Sequence, residues 1–113
     1  EAHIRDGYLY FILKSKQDSV GYLSILPREN EIFLSKIYVL QRFQGKGFGK
    51  NAMNFVINKA KELNKDKIAL TVNKYNSNSI KAYEKMGFEN IDAVITDIGN
   101  GYVMDDYVMV KKV

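Results

Sequence analysis

The chain has 113 residues, 46% hydrophobic and 27% charged, which suits one ordinary domain with its own core. It has no cysteine and one histidine, His3, so disulfides, thiol catalysis and cysteine–zinc sites are excluded, and a histidine triad or histidine-rich metal site has no support. The net charge of +4 is spread from Lys14 to Lys112 rather than massed, which describes a solvated basic surface and gives nucleic acid little support as a partner.

No apolar run reaches the roughly 20 residues of a membrane span, and the first residues lack signal-peptide character. A cytoplasmic protein with no membrane partner is expected.

Three apolar runs come first: Tyr8 to Leu13, Val20 to Leu26 and Ile32 to Leu40. Short polar connections between β-rich runs predict an antiparallel meander. The period then changes. Phe48, Ala52, Phe55, Val56, Ala60 and Leu63 recur at helical spacing, and Lys50, Asn54, Asn58, Lys61 and Glu62 take the other face. Asn64 to Lys67 breaks that helix. Ile68, Leu70 and Val72 alternate as a strand, and Asn76 to Met86 reads as a short helix with an Asn or Ser cap. Gly87 suits the left-handed position after it, with Phe88 as a packing residue. Two β-rich runs, Ile91 to Ile98 and Tyr102 to Val110, flank Gly99-Asn100-Gly101, a hairpin signal. The order β-β-β-α-β-α-β-β predicts an α/β (α+β) domain with a mixed, mostly antiparallel sheet and two helices.

The segment Gln44-Gly45-Lys46-Gly47-Phe48-Gly49 joins the third strand to the first helix. Glycines at a helix start let a phosphate approach backbone N–H groups that have no intrahelical partner. The P-loop pattern fails by one residue and by Asn51, which cannot supply the magnesium-binding hydroxyl. The dinucleotide fingerprint matches Gly47-x-Gly49-x-x-Ala52. It lacks the acidic residue that should end the following strand, since Thr71-Val72-Asn73 carries none.

A third pattern, Gln/Arg-x-x-Gly-x-Gly/Ala, is met by Gln44, Gly47 and Gly49. Here the chain resembles the GCN5-related N-acetyltransferases, the GNAT family. Asn76 to Phe88 strengthens the resemblance, matching the family segment Asn-x-x-Ala-x-x-x-Tyr-x-x-x-Gly-Phe with Ser79 in the alanine place. The tail from Asp97 to Tyr107 is similar to the small bacterial PaiA-like branch.

The resemblance implies acetyl-CoA as acetyl donor, with its pyrophosphate on the backbone of Gln44, Gly45, Lys46, Gly47, Phe48, Gly49 and Lys50, the two lysines adding positive charge. In the family the cofactor lies between two splayed parallel strands, and its pantetheine arm bonds the main chain of the first, here Ile37, Tyr38 and Val39. Asn76 and Ser79 would also face it; their plainer roles are a helix cap and a small packing residue.

Tyr83 resembles the tyrosine placed near the CoA sulfur, where a phenol can protonate the departing thiolate. Its plainer role is an aromatic core residue. For the base, Glu31 is the one acid near the strand before the glycine turn, and it can equally be an exposed turn residue. Asp105 and Asp106 are rivals. No covalent acyl-enzyme is expected.

The family begins with a strand and helices that precede Tyr8's counterpart. A truncated or minimal single domain over 1–113 is therefore expected, and its uncovered sheet would favour a homodimer. The implied function is transfer of acetyl from acetyl-CoA to a primary amine, in a small molecule, a polyamine or a protein. The alternative is a CoA-binding domain without catalysis.

Overall fold

The computed structural model describes residues 2–5, 7–16 and 18–113. Its elements are β1 (Ala2–Arg5), β2 (Tyr8–Ser15), β3 (Asp18–Pro27), β4 (Glu31–Val39), α1 (Phe48–Glu62), β5 (Lys67–Asn73), α2 (Ser77–Lys85), β6 (Glu89–Gly99) and β7 (Tyr102–Lys112). A single 3-10 turn, Gln41–Phe43, stands between β4 and α1. The mixed α/β class and the predicted order hold, with one strand more in front. That strand, β1, has only four residues and pairs antiparallel with β2 through Ile4↔Leu9 and Arg5↔Tyr8. It is too short to show the alternation by which a sequence announces a strand.

The chain forms two compact units, Glu1–Ile68 with Val113, and Ala69–Lys112. In the first, β1 to β4 lie side by side in chain order, each antiparallel to the next. Side chains alternate across this sheet, so Phe11, Leu23 and Ile37 share one face in register. Helix α1 covers that face, with Phe55 meeting Phe11 edge-on at 4.9 Å. Its buried residues are Ala52, Met53, Val56 and Ala60. The predicted stripe is corrected by part of a turn: Met53 is 2% exposed, while Phe55 and Leu63 are 40% and 36% exposed. A helical stripe wide enough to face a sheet admits several phases, and packing against β4 selects one.

Both helices end in the same way. After α1, Asn64 is left-handed at φ 59°, and the N–H groups of Asn64 and Lys65 return to the carbonyls of Lys61 and Ala60. After α2, Gly87 sits at φ 96°, and the N–H groups of Gly87 and Phe88 return to Glu84 and Tyr83. This pattern satisfies carbonyls that a helix end otherwise leaves free.

In the second unit β7 lies between β5 and β6. In β5 Ile68, Leu70 and Val72 are buried and Thr71 is exposed, as the alternation predicts, while Ala69 is buried as well. The β6–β7 hairpin closes through Asn100 and Gly101, both at positive φ, as a two-residue hairpin turn requires.

Candidate functional site

The glycine turn is built by its neighbours. Val39 ends β4, and the Leu40 N–H donates to the Val20 carbonyl at 2.7 Å. The Gln44 side chain folds back so that its Nε2 donates to the Val39 carbonyl at 3.0 Å, tying the turn to the strand it leaves. Phe43 and Phe48 brace the turn edge to face, with ring centroids 5.8 Å apart. Arg42 and Lys46 lie over the Phe43 ring, at 4.9 and 6.0 Å from its centroid. These contacts fix the loop without filling it.

Gly45 and Gly47 adopt φ of 78° and 86°, a conformation that L side chains rarely take. Gly47 is the N-cap of α1 and supplies no capping side chain. The first N–H groups of the helix, at Phe48, Gly49 and Lys50, therefore have neither an intrahelical acceptor nor a side-chain cap. A Cβ placed on Gly45, Gly47 or Gly49 would meet no atom within 4 Å. At Gly49, which lies inside the helix at negative φ, neither backbone conformation nor crowding demands glycine. The space over this turn is open to a group that is not part of the chain, and the helix dipole favours an anion there.

In β4, Ile37 and Val39 direct their side chains toward α1, while Tyr38 lies on the other face. Its ring stands 5.7 Å from that of Tyr22. Gly21, opposite Val39, is needed for packing: a Cβ there would collide with the Tyr38 carbonyl. Sequence reasoning missed both Gly21 and the Phe43 brace. A glycine inside an apolar strand was the available signal for the first. The first turns of α1 also wall an apolar cleft of about 360 Å³, lined by Phe11, Phe48, Ala52 and Phe55.

Glu31 opens β4, so the extended strand separates its carboxylate from the glycine turn at the strand's other end. It is also engaged: Arg28 lies 3.1 Å and Lys67 3.9 Å from its two oxygens. The structure does not bring Glu31 to the turn.

The second unit holds Asn76, Ser79 and Tyr83. Asn76 is the cap of α2, its Oδ1 accepting the Ser79 N–H at 3.2 Å. Tyr83 is half-buried, and its ring packs 5.7 Å from that of Phe88, which is 3% exposed. The helix-ending turn places these two rings together. Burial pushes the Tyr83 phenol above its ordinary pKa. The two rival acids are both tied into the strand. Asp106 is 7% exposed. Asp105 Oδ1 lies 2.9 Å from Lys74 Nζ. At this distance the ammonium, whose hydrogens rotate freely, donates to the carboxylate. That bond, against partial desolvation, raises the Lys74 pKa.

No helix among the described residues is long and apolar enough to cross a membrane. Among the same residues no group of three His, Cys, Asp or Glu gathers as a metal site.

Comparison with known proteins follows the same lines. The model of the acetyltransferase (GNAT) family matches residues 1–88. The uncharacterized N-acetyltransferase YjgM of Escherichia coli K12 is 27% identical over 104 residues, covering 88% of this chain and 62% of that protein. The chain thus spans about 60% of the length of curated relatives that it matches. Among solved structures, a GNAT family acetyltransferase from Elizabethkingia anophelis with acetyl-CoA bound superposes with a TM-score of 0.82 at 19% identity, covering 95% of this chain and 77% of that one. The PaiA N-acetyltransferase of Thermoplasma acidophilum, in complex with coenzyme A, gives 0.79 at 22%, covering 95% and 62%. The glycine turn, the Asn76–Phe88 segment and the family match agree, and this chain belongs to the GNAT family of acetyltransferases.

Proposed function

We propose that the chain carries the acetyl-CoA-binding part of an N-acetyltransferase that moves an acetyl group to a primary amine. One observation carries the reading: the N-terminus of α1 is uncapped, lined by glycines that the fold itself does not crowd, and open. The groups present fit a pyrophosphate. Backbone N–H groups of Phe48, Gly49 and Lys50 would donate to its oxygens, and exposed Lys46 and Lys50 would add charge. Ile37, Tyr38 and Val39 would offer main chain to the pantetheine arm, while their side chains stay packed. In the second unit, the amide group of Asn76 not used in capping, and Ser79, would be further contacts for the cofactor.

Bound acetyl-CoA supplies a thioester whose carbonyl carbon an amine can attack. The C–N bond forms, the C–S bond breaks, and the leaving sulfur takes a proton, which we assign to the Tyr83 phenol. Burial holds the phenol above its ordinary pKa, so it carries the proton to be given at neutral pH. The proton of the attacking amine leaves through water. Glu31, held by Arg28 and Lys67, serves to anchor the strand.

Titration calorimetry with acetyl-CoA, followed by thiol release over a panel of amines, tests this. Binding with release is expected. Binding without release would select a CoA-binding domain, and absence of binding would remove the proposal. The Gly49→Glu variant separates binding from folding. A glutamate in the first helical turn favours the helix, yet it sets like charge against the phosphate, so affinity should fall roughly 100-fold or more with the melting temperature unchanged.

A further inference from the structure

Strand β6 ends the strand order of its unit, so among the described residues one of its two edges has no partner strand. It is 11 residues long, and only Val94 is even half-buried. Edge strands are commonly blunted by lysine, proline or shortness. This one has no proline and no cationic residue, although the chain as a whole carries a net charge of +4. It presents Ile91, Ile95 and Ile98, at 61%, 69% and 57% exposure. Its charges are Glu89, Asp92 and Asp97.

The pairing with β7 shows where this edge is regular. Register slips at Ile91 and again at Ile98, and the stretch between, Asp92 to Asp97, pairs without interruption. At each slip an aspartate turns onto local backbone: Asp92 Oδ1 accepts the Ala93 N–H and Asp97 Oδ1 the Gly99 N–H, each at 2.8 Å. A carboxylate oxygen has further lone pairs, so both can accept again. The open edge is thus Asp-Ala-Val-Ile-Thr-Asp, a β-branched centre between two carboxylates held in place.

We propose that this edge docks an extended polypeptide segment by strand addition, with two cationic side chains five residues apart around a β-branched apolar centre. Main-chain bonds along the edge would supply affinity. Spacing would supply selectivity. Five residues of strand span roughly 17 Å, and an odd separation puts the two cations on opposite faces, as it does Asp92 and Asp97. A second copy fits poorly. In a two-fold antiparallel pairing centred between Val94 and Ile95, Asp92 faces Asp97 of the other copy, and other registers offer no cation, because β6 carries none. Like charges set opposite one another destabilise a strand pair.

The test uses the whole chain and a fluorescent ten-residue peptide with two lysines five residues apart and valine and threonine between them. Fluorescence anisotropy should show binding at least tenfold tighter than for the same peptide with glutamates in place of lysines. N-methylation of alternate peptide amides should abolish it. Ile95→Lys, at an exposed position, should weaken it about tenfold, with an unchanged melting temperature confirming the fold. Equal binding of both peptides, or survival of binding after N-methylation, would overturn the proposal. So would sedimentation showing a dimer that Ile95→Lys dissociates, since a second copy would then occupy the edge. None of these readings depends on acetyl transfer.

Discussion

At Gly47 the backbone stands at φ 86° and caps a helix whose first N–H groups have no side-chain cap. Any side chain there strains the turn, and a glutamate adds charge, so Gly47→Glu should remove measurable acetyl-CoA binding in calorimetry. Gly21 is glycine for a different reason, close approach to the Tyr38 carbonyl. Gly21→Ala should lower stability in urea unfolding by roughly 1–3 kcal/mol, the usual cost of forcing an extra methyl into packed structure. Tyr83→Phe keeps the ring contact with Phe88 and removes only the hydroxyl. If the phenol is the proton donor, turnover should fall steeply while acetyl-CoA affinity stays constant; unchanged turnover would take Tyr83 out of the chemistry. The motif residues were legible because glycine at a helix start and an Asn–Tyr–Gly–Phe spacing have local causes. Glu31 opens the strand, as its place in the sequence says, but its pairing with Arg28 and Lys67 was not legible, because Lys67 lies far along the chain.

At the scale of elements, α1 and α2 are stopped by left-handed Asn64 and Gly87 and differ at their starts. α2 is capped by Asn76, so Asn76→Ala should destabilise the fold by about 1 kcal/mol in urea unfolding. α1 has Gly47 as its N-cap, so no side chain caps its first turn. Its packing face was only partly legible. Phe55 and Leu63 have the right period yet lie at the margin, while Met53 is fully inside. Hydrophobic periodicity fixes that a helix has an apolar side but not its phase to within one residue, because the partner surface chooses among neighbouring stripes. The four-residue β1 exists through pairing with β2, and pairing is not written in either segment alone.

For the molecule as a whole, ligand and protons give measurable handles. Acetyl-CoA at a hundredfold excess over its dissociation constant should stabilise the chain by about 2.7 kcal/mol, read as a rise in melting temperature. Lys74 and Tyr83 both hold their protons more tightly in the folded chain than their ordinary values allow. Their contribution is therefore complete at neutral pH and is lost as pH rises through and above about 10, so the melting temperature should decline in that range. What the sequence determined by itself was local. It set the order of helices and strands, the caps and the hairpin turn, and the glycine spacing that names an anion site, because each depends on the conformational preferences of a few adjacent residues. What only the tertiary structure decided was non-local. It decided that Glu31 is bound by Arg28 and Lys67 away from the turn, that Asp105 answers Lys74, which side of α1 is buried, and that β6 is left as an edge. Each of these depends on which distant residues the fold brings within a few ångströms, and that is a property of the packed chain rather than of any segment.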